Sequence, residues 1–120
     1  MSDVLITDDS AFMRSTIRRI LEKERLMVVA EAESGPSCIE KYKEYRPEIV
    51  TLDIIMLGMD GIATLKALMK IDPNAKVIMI TALGQESFVR EAILSGARSF
   101  IVKPFQEEHV ISALHKVMAH

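Results

Sequence analysis

Four short apolar runs in this chain each end on a side chain able to take part in chemistry. Val4-Leu5-Ile6-Thr7 ends on Asp8-Asp9, Val50-Thr51-Leu52 on Asp53, Val77-Ile78-Met79-Ile80 on Thr81, and Ser99-Phe100-Ile101-Val102 on Lys103. A carboxylate is too costly to bury unpaired, so each acid belongs at an edge where a cleft can open. Three carboxylates in one cleft repel one another, and a proton or a cation must join them. Oxygen ligands at a partly wet edge suit a hard cation. Mg²⁺ fits best, because it keeps waters and uses few carboxylates together with phosphate oxygens. A metal bound by Asp9 and Asp53, with Asp8 acting directly or through water, leaves positions open for an incoming phosphoryl group. Lys103 offers a mobile positive charge to the same oxygens, and the Thr81 hydroxyl can donate a hydrogen bond. Phosphoryl transfer needs little beyond an aligned nucleophile and stabilised equatorial charge. A carboxylate can be that nucleophile, giving an aspartyl-phosphate.

For these tips to meet, the runs must be neighbouring strands. Continuous apolar runs of this kind read as strands buried on both faces. Met27 to Ala32 reads as a further strand, second in chain order. Between the strands, Met13, Ile17, Ile20 and Leu21 recur at helical spacing, with Arg14, Arg18, Arg19, Glu22 and Lys23 mostly on the other side. Ser34-Gly35-Pro36 is turn punctuation, and Ser37 with Glu40 has the spacing of a capping box. The helix it opens carries Ile39 and Tyr42 inward and stops before Pro47. Asp60 is placed to cap a helix bearing Ile62, Leu65, Leu68 and Met69, which ends near Asp72-Pro73-Asn74. A helix from about Glu86 to Ser95 has Gly96 at its C′ position. Val110, Ile111, Leu114, Val117 and Met118 stripe the last one.

Five strands alternating with five helices predict an α/β fold, a doubly wound parallel sheet with helices on both faces. Right-handed crossovers leave few topologies, and the flavodoxin-like (βα)5 order 2-1-3-4-5 is a common one. That order sets strands 1, 3 and 4 side by side, with 5 next to 4. It brings Asp8-Asp9, Asp53, Thr81 and Lys103 to a single edge.

Residues 1–120 read as one domain, long enough to bury a core without staples. Apolar residues make up 49% and charged ones 27%, ordinary for a globular protein, and the net charge of −2 gives no broad attraction to nucleic acid or an anionic membrane. Cys38 is the only cysteine, so no internal disulfide forms, which suits a reducing cytosol. The chain reaches Asp8 and Asp9 too soon for a signal peptide, and no run approaches a membrane span. A cytoplasmic protein is expected. His109, His115 and His120 lack ligand spacing to acids and read as surface histidines. Cys38 reads as a small filler.

Blander roles compete for the same residues. Asp8 or Asp9 could cap the first helix, Thr81 could be a β-branched strand end, and Phe100 a core aromatic. A dinucleotide or flavin site would want a Gly-rich loop after the first strand, where Asp8-Asp9 instead repels phosphate. A metal-dependent phosphohydrolase also makes an aspartyl-phosphate, but the best-known class wants Asp-x-Asp after strand 1, and Asp8-Asp9-Ser10 lacks it.

Asp8-Asp9, Asp53, Thr81-Ala82 and Lys103-Pro104-Phe105, in order at successive strand ends, resemble the site of the receiver domains of two-component response regulators. The likeness covers the whole chain. Asp8-Asp9-Ser10-Ala11-Phe12-Met13-Arg14, Lys41-Tyr42-Lys43-Glu44, Ile71-Asp72-Pro73-Asn74-Ala75-Lys76 and Phe100 to Gln106 are similar to the stand-alone chemotaxis regulators found outside the enteric bacteria. The resemblance implies that Asp53 accepts phosphate from a histidine kinase of the chemotaxis type. It implies one Mg²⁺ ion, for which Mn²⁺ can substitute, among Asp8, Asp9, Asp53 and the backbone carbonyl of Ile55. Thr81 and Lys103 would contact the phosphoryl oxygens, and Phe100 would be a switch aromatic that turns inward when Thr81 moves. Such a protein is a monomeric signalling module rather than an enzyme, catalysing only its own phosphorylation and autodephosphorylation. Its expected partners are the kinase, a flagellar motor switch protein and a phosphatase. With no DNA-binding region after residue 120, a transcription factor is not expected. The alternative is a stand-alone receiver in a non-chemotaxis phosphorelay or stress pathway.

Two positions depart from the family pattern. Leu57, followed by Gly58, stands where proline is usual, which predicts a looser loop after Asp53. Ile55 and Leu83, two residues beyond Asp53 and Thr81, are apolar, which predicts poor orientation of an attacking water and a long-lived acyl phosphate.

Overall fold

The apolar runs do become strands, and the amphipathic stretches between them become helices. The computed structural model describes residues 2–119. Met1 and His120 lie outside the described residues, and with His120 the expectation that it is a surface histidine. In chain order the elements are β1 (Asp3–Thr7), α1 (Ala11–Lys23), β2 (Met27–Ala32), α2 (Gly35–Tyr45), β3 (Ile49–Leu52), α3 (Gly61–Ile71), β4 (Lys76–Thr81), α4 (Glu86–Leu94), β5 (Ser99–Val102) and α5 (Glu107–Met118). Every strand pairing is parallel and the sheet order is β2-β1-β3-β4-β5, as the alternation predicted. Among the described residues, no helix is long and apolar enough to cross a membrane.

Side chains alternate across the sheet and fill two cores. Leu5, Val50, Leu52, Val77 and Met79 face one way, against Cys38 and Tyr42 of α2, Leu65 and Leu68 of α3, and Ala92 of α4. Val4, Ile6, Ile49, Ile78 and Ile80 face the other, against Ile17 and Leu21 of α1 and Leu114 and Val117 of α5. Each fully buried Leu or Ile stabilises the fold by about 1.5–3 kcal/mol over exposure. Strands 1, 3 and 4 are therefore clamped from both faces, and their polar ends have one way out, along the carboxyl edge.

One helix start differs from expectation, and another removes a competing role for the acids. The cap of α2 is Ser34, whose hydroxyl accepts from the Ser37 N–H at 3.2 Å, so Ser37 lies inside the helix rather than at its cap. Pro36 sits in the first turn, where its missing N–H would have had no helical partner. At α1 the cap is Ser10, accepting from the Met13 N–H at 3.1 Å, which leaves Asp8 and Asp9 free of that duty. Asp60 does cap α3, and Gly96 takes the positive φ (+114°) that follows α4.

Candidate functional site

The strand ends are held by backbone bonds that run one step past the strands themselves. The Asp8 N–H donates to the Ala32 carbonyl at 3.0 Å, the Asp53 N–H to Thr7 at 3.2 Å, and the Lys103 N–H to Thr81 at 2.8 Å. Each chemically able residue thus leaves the sheet at a set height, because the ladder delivers it. The β3 register (Thr7 opposite Leu52, Leu52 opposite Met79) keeps these ends level.

Asp8, Asp9 and Asp53 each present a carboxylate oxygen within 4.8 Å of the others. Asp8 is 1% exposed and Asp53 5%, whereas Asp9 faces solvent. The Lys103 Nζ lies between the two buried acids, 2.7 Å from Asp8 Oδ2 and 2.9 Å from Asp53 Oδ2. Asp8 Oδ1 accepts from the Ser10 N–H at 2.9 Å, and Asp53 Oδ1 from the Ile55 N–H at 3.2 Å. Burial pushes the Asp8 carboxyl above its ordinary value, and the Lys103 and Ser10 hydrogen bonds only partly offset this. Burial alone would lower the Lys103 ammonium, but the bonds to Asp8 and Asp53 raise it, so it stays charged.

Three carboxylates against one ammonium leave negative charge uncompensated at a cleft open on the Asp9 side. Hard oxygen donors with spare charge and solvent access fit Mg²⁺. The residues present therefore suit the ion the sequence called for.

Thr81 is fully buried, and its hydroxyl accepts from the Leu83 N–H at 3.3 Å rather than joining the Lys103 network. Phe100 lies opposite Met79, back from the edge, half buried against the α2, α3 and α4 core. Beside the acids a cleft of about 500 Å³ is lined by Ile54, Ile55, Met56, Ile62, Leu83 and Phe88 among others. Cys38 is completely buried and its thiol is pushed up to about 11 by burial, so it is no nucleophile. His109 and His115 are exposed, as expected.

Two residues at the site escaped the sequence reading. A Cβ at Gly61, the residue after the Asp60 cap, would lie 2.0 Å from the Asp53 carbonyl oxygen. The Gly61 N–H donates to the Ile54 carbonyl at 2.8 Å, which ties the start of α3 to the end of β3 beside Asp53. The signal was present as Asp60-Gly61 just after the apolar run, but it says nothing of what approaches. Arg14, expected on the solvated side of α1, instead reaches Glu31 and the Asp8 carbonyl. An arginine one turn beyond Asp-Asp, with an acid near the end of the second strand, was the available clue.

The model of the family described as response regulator receiver domain matches residues 4–115. The chain is 54% identical to the chemotaxis protein CheY of Thermotoga maritima, covering 95% of both chains, and 52% identical to that of Bacillus subtilis, covering 96% of both. It is also similar to a solved structure from Borrelia burgdorferi, a CheX-CheY-BeF3-Mg complex, with a TM-score of 0.95 and 40% identity, over 98% of this chain and 89% of that one.

Proposed function

The chain belongs to the response regulator receiver family, in which Mg²⁺ and phosphorylation are typical, and on that footing we propose that it is a phosphorylation-operated switch with Asp53 as phosphoacceptor. Receiver domains are signalling modules rather than enzymes in the usual sense. Here the module spans residues 1–120 and catalyses only its own phosphorylation and autodephosphorylation. The observation that carries the reading is the Lys103 ammonium set between Asp8 and Asp53, with Asp9 beside them.

An Asp53 carboxylate oxygen attacks the phosphorus of a phosphohistidine on the donor kinase. The P–O bond forms as the P–N bond breaks, and the electron pair returns to the imidazole, which takes up a proton. Lys103, already in contact with Asp53, exchanges the carboxylate for the new phosphoryl oxygens without crossing the cleft. Asp8, Asp9, Asp53 and the Ile55 carbonyl would hold Mg²⁺, or Mn²⁺ in its place, which supplies charge stabilisation at the phosphoryl oxygens. Thr81 then leaves the Leu83 amide for the phosphoryl group. Phe100 pairs with Met79, two residues before Thr81 on β4, which makes it a diagonal neighbour of Thr81 across the β4–β5 pairing. Near-complete switching requires about 5.5 kcal/mol of differential stability between the two conformations.

Similarity to chemotaxis regulators supports a cytoplasmic, monomeric protein served by a chemotaxis-type histidine kinase and a phosphatase, with a flagellar motor switch protein as target. The test is treatment with a small phosphodonor and Mg²⁺, followed by mass measurement and binding to motor-switch peptides. One phosphate is expected per chain, absent in Asp53→Asn, with binding that follows it. Phosphorylation that persists in Asp53→Asn, or binding indifferent to both, overturns the reading.

A further inference from the structure

We infer that Arg14 is a positioning residue for the metal site: it holds the peptide joining Asp8 to Asp9, and so sets where the Asp9 carboxylate stands. The inference rests on the reading that Asp8 and Asp9 help to hold Mg²⁺. The Arg14 side chain is only 15% exposed. Its Nε donates to Glu31 Oε1 at 2.9 Å, and its Nη1 donates to the Asp8 carbonyl at 2.6 Å. A guanidinium is a planar fork, so fixing one prong on Glu31 aims the other. Glu31 is itself braced, its second oxygen by Arg18 at 2.8 Å and its carbonyl by the Lys41 Nζ at 2.5 Å.

The Asp8 carbonyl and the Asp9 N–H belong to one planar peptide. Turning that plane moves the Asp9 Cα and everything beyond it. The Asp8 side chain is secured by Lys103 and Ser10, but among the described residues no hydrogen bond or ion pair holds the Asp9 side chain. The direction of the exposed ligand is thus left to the backbone, and Arg14 grips the backbone there. Groups that orient metal ligands in this way are commonly worth about tenfold or more in affinity.

Charge and position pull in opposite directions, which makes the idea testable. Removing a cation near an acidic cluster should by Coulomb attraction tighten Mg²⁺ binding, whereas losing the peptide anchor should weaken it. Mg²⁺ titration by calorimetry compares the full chain with Arg14→Met, Arg14→Lys, Arg18→Met and Asp9→Asn. Arg14→Met and Arg14→Lys are expected to bind about tenfold more weakly. Arg18→Met, which removes the brace on Glu31 and touches no part of the Asp8-Asp9 turn, should lose less affinity than either Arg14 variant. Melting temperature without metal checks folding, and Arg14→Lys, which keeps the charge, decides the matter should Arg14→Met not fold. Unchanged or tighter binding in the Arg14 variants overturns the inference, as does an equal loss in Arg18→Met. A parent protein that ignores Mg²⁺, or an Asp9→Asn variant that binds as well as the parent, overturns the metal reading beneath it.

Discussion

The β1–α1 turn and the β3–α3 loop each bring a carboxylate to the same cleft, and they are built in opposite ways. In the first, every polar group of Asp8 is engaged. Its N–H bonds Ala32, its carbonyl takes Arg14, and its two carboxylate oxygens take Ser10 and Lys103. In the second, the backbone hydrogen bonds lie only at the ends, around Asp53 and at Gly61, and Met56 between them is held by burial alone. Between them Leu57 is 82% exposed, and Gly58 turns at a φ of +81° with open space where a side chain would be. The turn that carries two charges is over-determined, and the loop beyond Asp53 is hydrogen-bonded only at its roots. The missing proline fits this division, since Gly58 supplies the bend that the loop needs.

The largest effect should come from breaking a root. Gly61→Ala forces a methyl onto the Asp53 carbonyl, and urea denaturation should show a loss of at least about 2 kcal/mol, with phosphorylation of Asp53 falling alongside. An unaltered midpoint would mean that this loop has no firm anchor. Gly58→Ala meets no neighbour and pays only for its left-handed backbone, about 1 kcal/mol, so its phosphorylation level should match that of the parent. Ile55→Asn, on the half-exposed flank, should shift stability by no more than about 0.5 kcal/mol. Its acyl phosphate should nevertheless decay several-fold faster, because a polar side chain can orient water where Ile55 does not. Equal decay rates in the two proteins would sink that account of Ile55.

The smallest effect belongs to the brace behind the first turn. Burial pushes the Glu31 carboxyl up, and the bonds from Arg18 and Arg14 more than reverse this, leaving it below its ordinary value. A carboxyl depressed in the folded state contributes stability that is full above its unfolded value and is lost as pH falls toward the folded one. Melting curves of Glu31→Gln and the parent should therefore converge as the solution is acidified. A gap that stays constant with pH would show that the ion pairs add nothing.

The strands, the helices and the site tips were legible in order because each depends on local pattern. Apolar runs such as Val77 to Ile80, short and mostly β-branched, read as buried strands, and helical spacing marks Ile17, Ile20 and Leu21. The helix caps were less legible. Ser34 and Ser37 lie three residues apart and offer the same hydroxyl; Pro36 in the first turn and the close approach of Gly35 to Thr64 and Met59 accompany the earlier start.

The sequence by itself determined which residues can do chemistry and, through the right-handed crossover rule, which edge they share. Asp8, Asp9, Asp53, Thr81 and Lys103 could all be named before any coordinate. Tertiary structure decided how they are held: Lys103 between Asp8 and Asp53, Gly61 against Asp53, and Arg14 turned from solvent onto the Asp8 carbonyl. The physical reason is range. Burial and period are properties of a few neighbouring residues, whereas a hydrogen bond from residue 103 to residue 8 exists only once the whole sheet has closed the distance.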